Sequence, residues 1–126
     1  MKLFPIVAVA ALLGAPALAQ EARPMSLEQQ MLLRCSAVFA VVASEQARGA
    51  PSSNAYPPLG ERGREFFVRS GARLMDELGL SREGLAARLT AEVELLQRNA
   101  AAADNPAAYV DSVMQPCLAY LQANGL

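Results

Sequence analysis

The sequence predicts an all-α fold, a four-helix up-down-up-down bundle with one disulfide joining its first and last helices. Three observations predict it. Apolar residues recur at spacings of three and four in successive segments, the period of an amphipathic helix. Proline, glycine and Ser/Asn/Asp punctuation separates those segments. The only two cysteines, Cys35 and Cys117, fall within the apolar stripes of the first and last segments. A bond between them makes those two helices neighbours, as alternating helix directions do. No segment carries the period-two alternation of a strand.

The chain opens on a charged start, Met1-Lys2, followed by an apolar run from Leu3 to Leu13 and a small-x-small site, Ala17-Leu18-Ala19. These are the parts of a secretory signal, with cleavage expected after Ala19. The run is too short to span a bilayer, which takes about 20 residues. Residues 1–19 are therefore read as a signal peptide and residues 20–126 as a single helical domain, periplasmic or secreted. Loss of Lys2 moves the net charge from −1 to −2. That balance argues against nucleic acid as a partner, and no later segment predicts a membrane span. The remaining basic residues are all arginine and are scattered along the chain. Codon bias in a GC-rich genome accounts for this better than a set of anion clamps.

Helix one is expected over about 27–48. Ser26 and Gln29 form a capping box at its start. Leu27, Met31, Cys35, Val38, Phe39 and Val42 form its stripe, and Gly49 ends it. Residues 50–60 read as the longest loop, with Tyr56, Pro57 and Pro58 as its most distinctive element. Those three are the candidate partner contact, since binding residues concentrate on loops. The competing reading has Tyr56 packing as a lid over the end of the bundle.

Helix two is expected to begin near Pro58 and to stop at Gly79. Phe66, Phe67, Ser70, Leu74 and Leu78 supply its buried face. Gly71 inside it implies close approach of another helix or of the loop. Ser81 caps helix three, whose Leu85, Leu89, Val93 and Leu96 form the cleanest amphipathic pattern in the chain. This helix runs through Ala100–Ala103. Asn105 and Pro106 open helix four, with Val110, Val113, Met114, Cys117 and Leu121 as its stripe. Pro116 inside it predicts a kink or break near Ser112–Gln115.

In an oxidising compartment two cysteines usually pair. The alternative is redox chemistry, with Arg34 favouring the Cys35 thiolate, but no Cys-x-x-Cys is present. Histidine is absent, which removes the commonest general base and metal ligand. Gly60, Gly63 and Gly71 lack the spacing of a phosphate-binding loop. Glu92 and Glu94 lie two apart on a helix and point away from each other. The sequence predicts no catalytic residue, no metal site and no cofactor.

With its Ala-rich signal, Arg34-Cys35, the segment Arg64-Glu-Phe-Phe-Val-Arg69 and the closing Pro116-Cys117, the chain resembles the short uncharacterised exported proteins of GC-rich alphaproteobacteria. That resemblance implies export and brings no activity. A looser likeness is to the small acid-stress chaperones of the periplasm, which are helical and hold one disulfide. The cysteine spacing here is wider, and their lysine-rich ends are missing. The resulting expectation is a non-enzymatic periplasmic module that binds another protein or a surface. A disulfide-bonded stress chaperone (holdase) and a small-ligand binder are the alternatives.

Overall fold

The computed structural model describes residues 24–126. The expected signal peptide lies outside them. Among the described residues the chain is all-helical: α1 Leu27–Ala47, a 3-10 turn at Pro51–Ala55, α2 Gly60–Leu78, α3 Arg82–Ala102 and α4 Pro106–Ala123. The four α-helices form an up-down-up-down bundle, and the Cys35–Cys117 disulfide ties α1 to α4 with a Cα–Cα distance of 5.3 Å. No helix among the described residues is long and apolar enough to cross a membrane.

The caps explain where the helices start. The Ser26 hydroxyl accepts from the Gln29 amide, and the Gln29 side chain accepts from the Ser26 amide. Ser81 and Asn105 accept from the amides of Gly84 and Ala108. Each satisfies a donor that the first helical turn leaves free. α2 differs. It starts at Gly60, not at Pro58, and its N-cap is Leu59, which has no side-chain acceptor. Gln46 of α1 hydrogen-bonds the Pro57 carbonyl and the Leu59 amide, which holds this stretch outside the helix up to Leu59. The Leu59 side chain is fully buried and anchors the first turn from beneath. At the other end Gly79 adopts φ +63°, and the Leu80 amide reaches back to the Met75 carbonyl. Only glycine takes that left-handed cap without strain.

The packing is centred on α1. The expected single stripe is part of a wider apolar belt: Leu32, Leu33, the run Cys35–Phe39 and Val42 are all buried. A helix enclosed on most sides must be apolar on most sides, and α1 packs against α2, α3 and α4 alike. Of the predicted stripe, Met31 is half-buried and Leu27 is exposed. Leu27 sits in the first turn, past the cover of the neighbouring helices, and is 85% exposed. Phe39 and Phe66 meet edge to face at 5.2 Å, and Phe66 meets Tyr120 the same way at 6.0 Å. These contacts join α1, α2 and α4 through one aromatic row.

α3 corrects the sequence reading most. Its stripe, the cleanest in sequence, is the least buried in the fold: Leu85 and Leu96 are buried, while Leu89 and Val93 are only half-buried. The cause is that α2 and α3 touch only sparsely. Gly71 lets them meet near their turn, where a Cβ on Gly71 would stand 3.0 Å from Leu85 Cδ2. Towards the other end of α2 the pair leaves a gap, and Leu89 borders it. Of the kink or break expected near Pro116, the break does not occur, since α4 runs as one continuous helix through it. Pro116 and Ser112 are both exposed, so the carbonyl that Pro116 leaves without its helical partner can be hydrated.

A cluster of charges closes one end of the α1–α2 seam. Arg73 donates to Glu28 at 2.7 Å and to Glu77 at 2.6 Å, and Gln29 donates to Glu77 at 2.8 Å. The hydrogen bond and charge of Arg73 hold the Glu28 carboxyl below its ordinary value of 4.5. The Gln29 bond, then Arg73, do the same for Glu77. A depressed folded-state pKa stabilises above the unfolded value and loses that effect as pH falls through the folded one. All three side chains are partly exposed, so solvent screens the network and the effect is modest. We expect the melting temperature of the wild type to exceed that of Arg73→Gln near neutral pH, with the gap closing below about pH 4. A gap that stays constant across the titration would show that the network contributes nothing electrostatic.

Candidate functional site

Tyr56, Pro57 and Pro58 lie on the loop between α1 and α2, and Gln46 of α1 holds that loop in place. The Gln46 amide nitrogen donates to the Pro57 carbonyl at 2.9 Å, with longer contacts to the Tyr56 and Ser53 carbonyls. Its oxygen accepts from the Leu59 amide at 3.0 Å. The Tyr56 hydroxyl donates to Asp111 Oδ1 of α4 at 3.3 Å. Partial burial and the adjacent Asp111 carboxylate raise the Tyr56 pKa above its ordinary value, so the phenol stays protonated. Tyr56 therefore packs on the core while Pro57 and Pro58 remain exposed. Removing the clamp should loosen the loop. Gln46→Ala leaves the Leu59 amide without its partner and should cost about 1–2 kcal/mol. Urea unfolding measures the loss, and faster amide exchange confined to residues 50–60 would locate it.

A more uniformly apolar concavity than any that involves these three residues lies elsewhere. It is the gap where α2 and α3 part, a cleft of ≈ 300 Å³ floored by α1. Ser36, Phe39, Ala40 and Ala43 form the floor, Gly60, Gly63, Arg64 and Phe67 line the α2 side, and Leu89 stands on α3. Ordinary large side chains at four of these positions would fill it, and the sequence instead places alanine at 40 and 43 and glycine at 60 and 63. A Cβ added at Gly60 would meet nothing within 4 Å, and one at Gly63 would reach only van der Waals contact with Phe39 and Leu59. The cleft is apolar inside. Its one side-chain hydroxyl, that of Ser36, donates to the Leu32 carbonyl of its own helix at 2.8 Å. Arg64 is its one charged lining residue.

A second cleft, of ≈ 360 Å³, runs along the α1–α4 seam. It is more mixed in character, with Gln30, Arg34 and Ser112 among apolar residues, and Arg34 is already paired with Glu92 at 3.5 Å. Cys35 and Cys117 line it, yet they are 0% and 2% exposed, so the disulfide is shielded from attack.

Pro57 and Pro58 do not line either cleft, and neither does Tyr56. Ala40, Ala43, Gly60 and Gly63 do not mark a binding site in sequence, because alanine and glycine carry no chemistry of their own. The spacing of Ala40 with Ala43 and of Gly60 with Gly63 is the signal that was available. Each pair sits three apart, on one helix face. Among the described residues no group of three His, Cys, Asp or Glu side chains is placed to hold a metal ion. Comparison with protein-family models, with curated proteins and with solved structures finds no match to this chain.

Proposed function

We propose that this chain is an exported, non-enzymatic helical binding module whose binding face is the cleft between α1, α2 and α3. The observation that carries the reading is the cleft itself, an almost wholly apolar space of ≈ 300 Å³ left open between α1, α2 and α3. Concave, mostly apolar surfaces with one or two polar groups at the edge are the usual form of a binding site. Export is supported by the signal-like N-terminus and by a disulfide, which persists in oxidising compartments. A built cleft favours a binder of a defined partner or ligand over a holdase, which needs broad exposed apolar surface.

Photo-crosslinking in cells tests this. p-Benzoylphenylalanine replaces Phe67, which lines the cleft, and in a parallel experiment replaces Val68, which is 61% exposed and lies outside it. A discrete adduct from position 67 and none from position 68 supports the reading. No adduct from position 67, or equal adducts from both, defeats it.

A further inference from the structure

We infer that the cleft binds the alkyl chain of a single-chain carboxylate, with Arg64 at its edge receiving the carboxylate head. The inference rests on the binding-module reading above and names its ligand. Three observations lead to it. First, the interior offers no side-chain hydrogen-bond donor to a guest, because the Ser36 hydroxyl is committed to the Leu32 carbonyl and the remaining floor and wall side chains are hydrocarbon or absent at glycine. The part of the ligand that enters must therefore be apolar, since a buried polar group without a partner is strongly disfavoured. Second, the one charged residue lining the cleft is Arg64, while the neighbouring Glu61, Arg62 and Glu65 do not line it. Glu65 is engaged with Arg69 at 2.5 Å, and among the described residues Arg64 makes no salt bridge. An exposed, unpaired guanidinium beside an apolar slot favours an anionic head and repels a cationic one.

Third, the size selects a chain and not a helix. Two turns of a partner helix, about 11 Å long and 10–12 Å across, occupy roughly 1,000 Å³. The cleft holds ≈ 300 Å³, the lower end of small-molecule sites. The floor from Ser36 to Ala43 runs about 10 Å along α1, enough for an extended alkyl segment lying along the helix. Ala40, Ala43, Gly60 and Gly63 keep that path open, with Phe39, Phe67 and Leu89 providing its apolar contacts.

The test uses the purified protein and sodium dodecanoate below its micellar concentration, followed by titration calorimetry. Octanoate and dodecyltrimethylammonium serve as shorter and oppositely charged probes. We expect one dodecanoate per chain, weaker binding of octanoate by about fourfold for each methylene lost from the filled cleft, and at least tenfold weaker binding of the cationic probe. Arg64→Glu should weaken dodecanoate at least tenfold and strengthen the cationic probe. Ala40→Phe and, independently, Gly60→Leu should remove binding. Ala40 is exposed and the space beside Gly60 is empty, so these two variants fill the cleft with little demand on the fold. Absence of dodecanoate binding overturns the inference. So does binding that survives both cleft-filling variants, and so does equal affinity for the cationic probe. A protein adduct from position 67 without dodecanoate binding would remove this ligand class and leave the binding-module reading standing. If neither adduct nor dodecanoate binding is found, both fall.

Discussion

Reduction of the Cys35–Cys117 disulfide lowers the melting temperature by roughly 20–35 °C. The bond closes a loop with a sequence separation of 82 residues. Restricting the unfolded chain over such a loop is worth about 4.5 kcal/mol in the chain-entropy model. For a domain of this size each kcal/mol moves the midpoint by about 4–8 °C. The native geometry supports the full effect, because both sulfurs lie inside the α1–α4 seam and the two cysteines are at most 2% exposed. Total stability of small domains is about 5–15 kcal/mol, so at the lower end the reduced chain would be largely unfolded at room temperature. Calorimetry of the wild type with and without reductant measures the shift. The double variant Cys35→Ala/Cys117→Ala should reproduce it without reductant. A midpoint that moves by less than about 5 °C in both experiments would rule out a structural role for the bond.

Phe39→Ala is the most damaging single core substitution we expect, costing about 3–5 kcal/mol. Phe39 is 1% exposed and stands at the meeting of α1 and α2, edge to face with Phe66. Gly63, which faces the Phe39 Cβ, has no side chain of its own to move into the vacated space. The hole would also open towards the cleft that Phe39 floors, letting water in. Urea unfolding of Phe39→Ala beside Val68→Ala is the measurement. The second residue is 61% exposed and its truncation should change stability by no more than about 0.5 kcal/mol. Similar midpoints for the two variants would mean that Phe39 does not hold the α1–α2 contact.

Helix number, most boundaries and the disulfide pairing could be read along the chain because each depends on local chemistry. Ser26 with Gln29, Ser81 and Asn105-Pro106 are caps whose partners lie three residues away. With only two cysteines in the chain, no other intramolecular pairing exists. Gly71 announced a close approach, and Leu85 makes it. Local pattern was a weaker guide to burial. Leu89 and Leu85 belong to the same apolar stripe of α3, and nothing in their spacing tells which is covered. What covers them is the distance from α3 to α2, a property of two helices and not of one. For the same reason the central position of α1 came only from the fold, since a stripe shows that a helix has one neighbour and not that it has three. Tyr56, Pro57 and Pro58 stood out in sequence by their chemistry, and the fold ties them to Gln46 and Asp111. The cleft is made of Ala40, Ala43, Gly60 and Gly63, residues notable for what they lack. Local hydrogen bonding and periodicity determine where each helix begins, ends and turns its apolar side. Only the tertiary structure decides which apolar sides meet, because that depends on how closely helices far apart in sequence can approach, and an unfilled gap between them leaves no mark on either one alone.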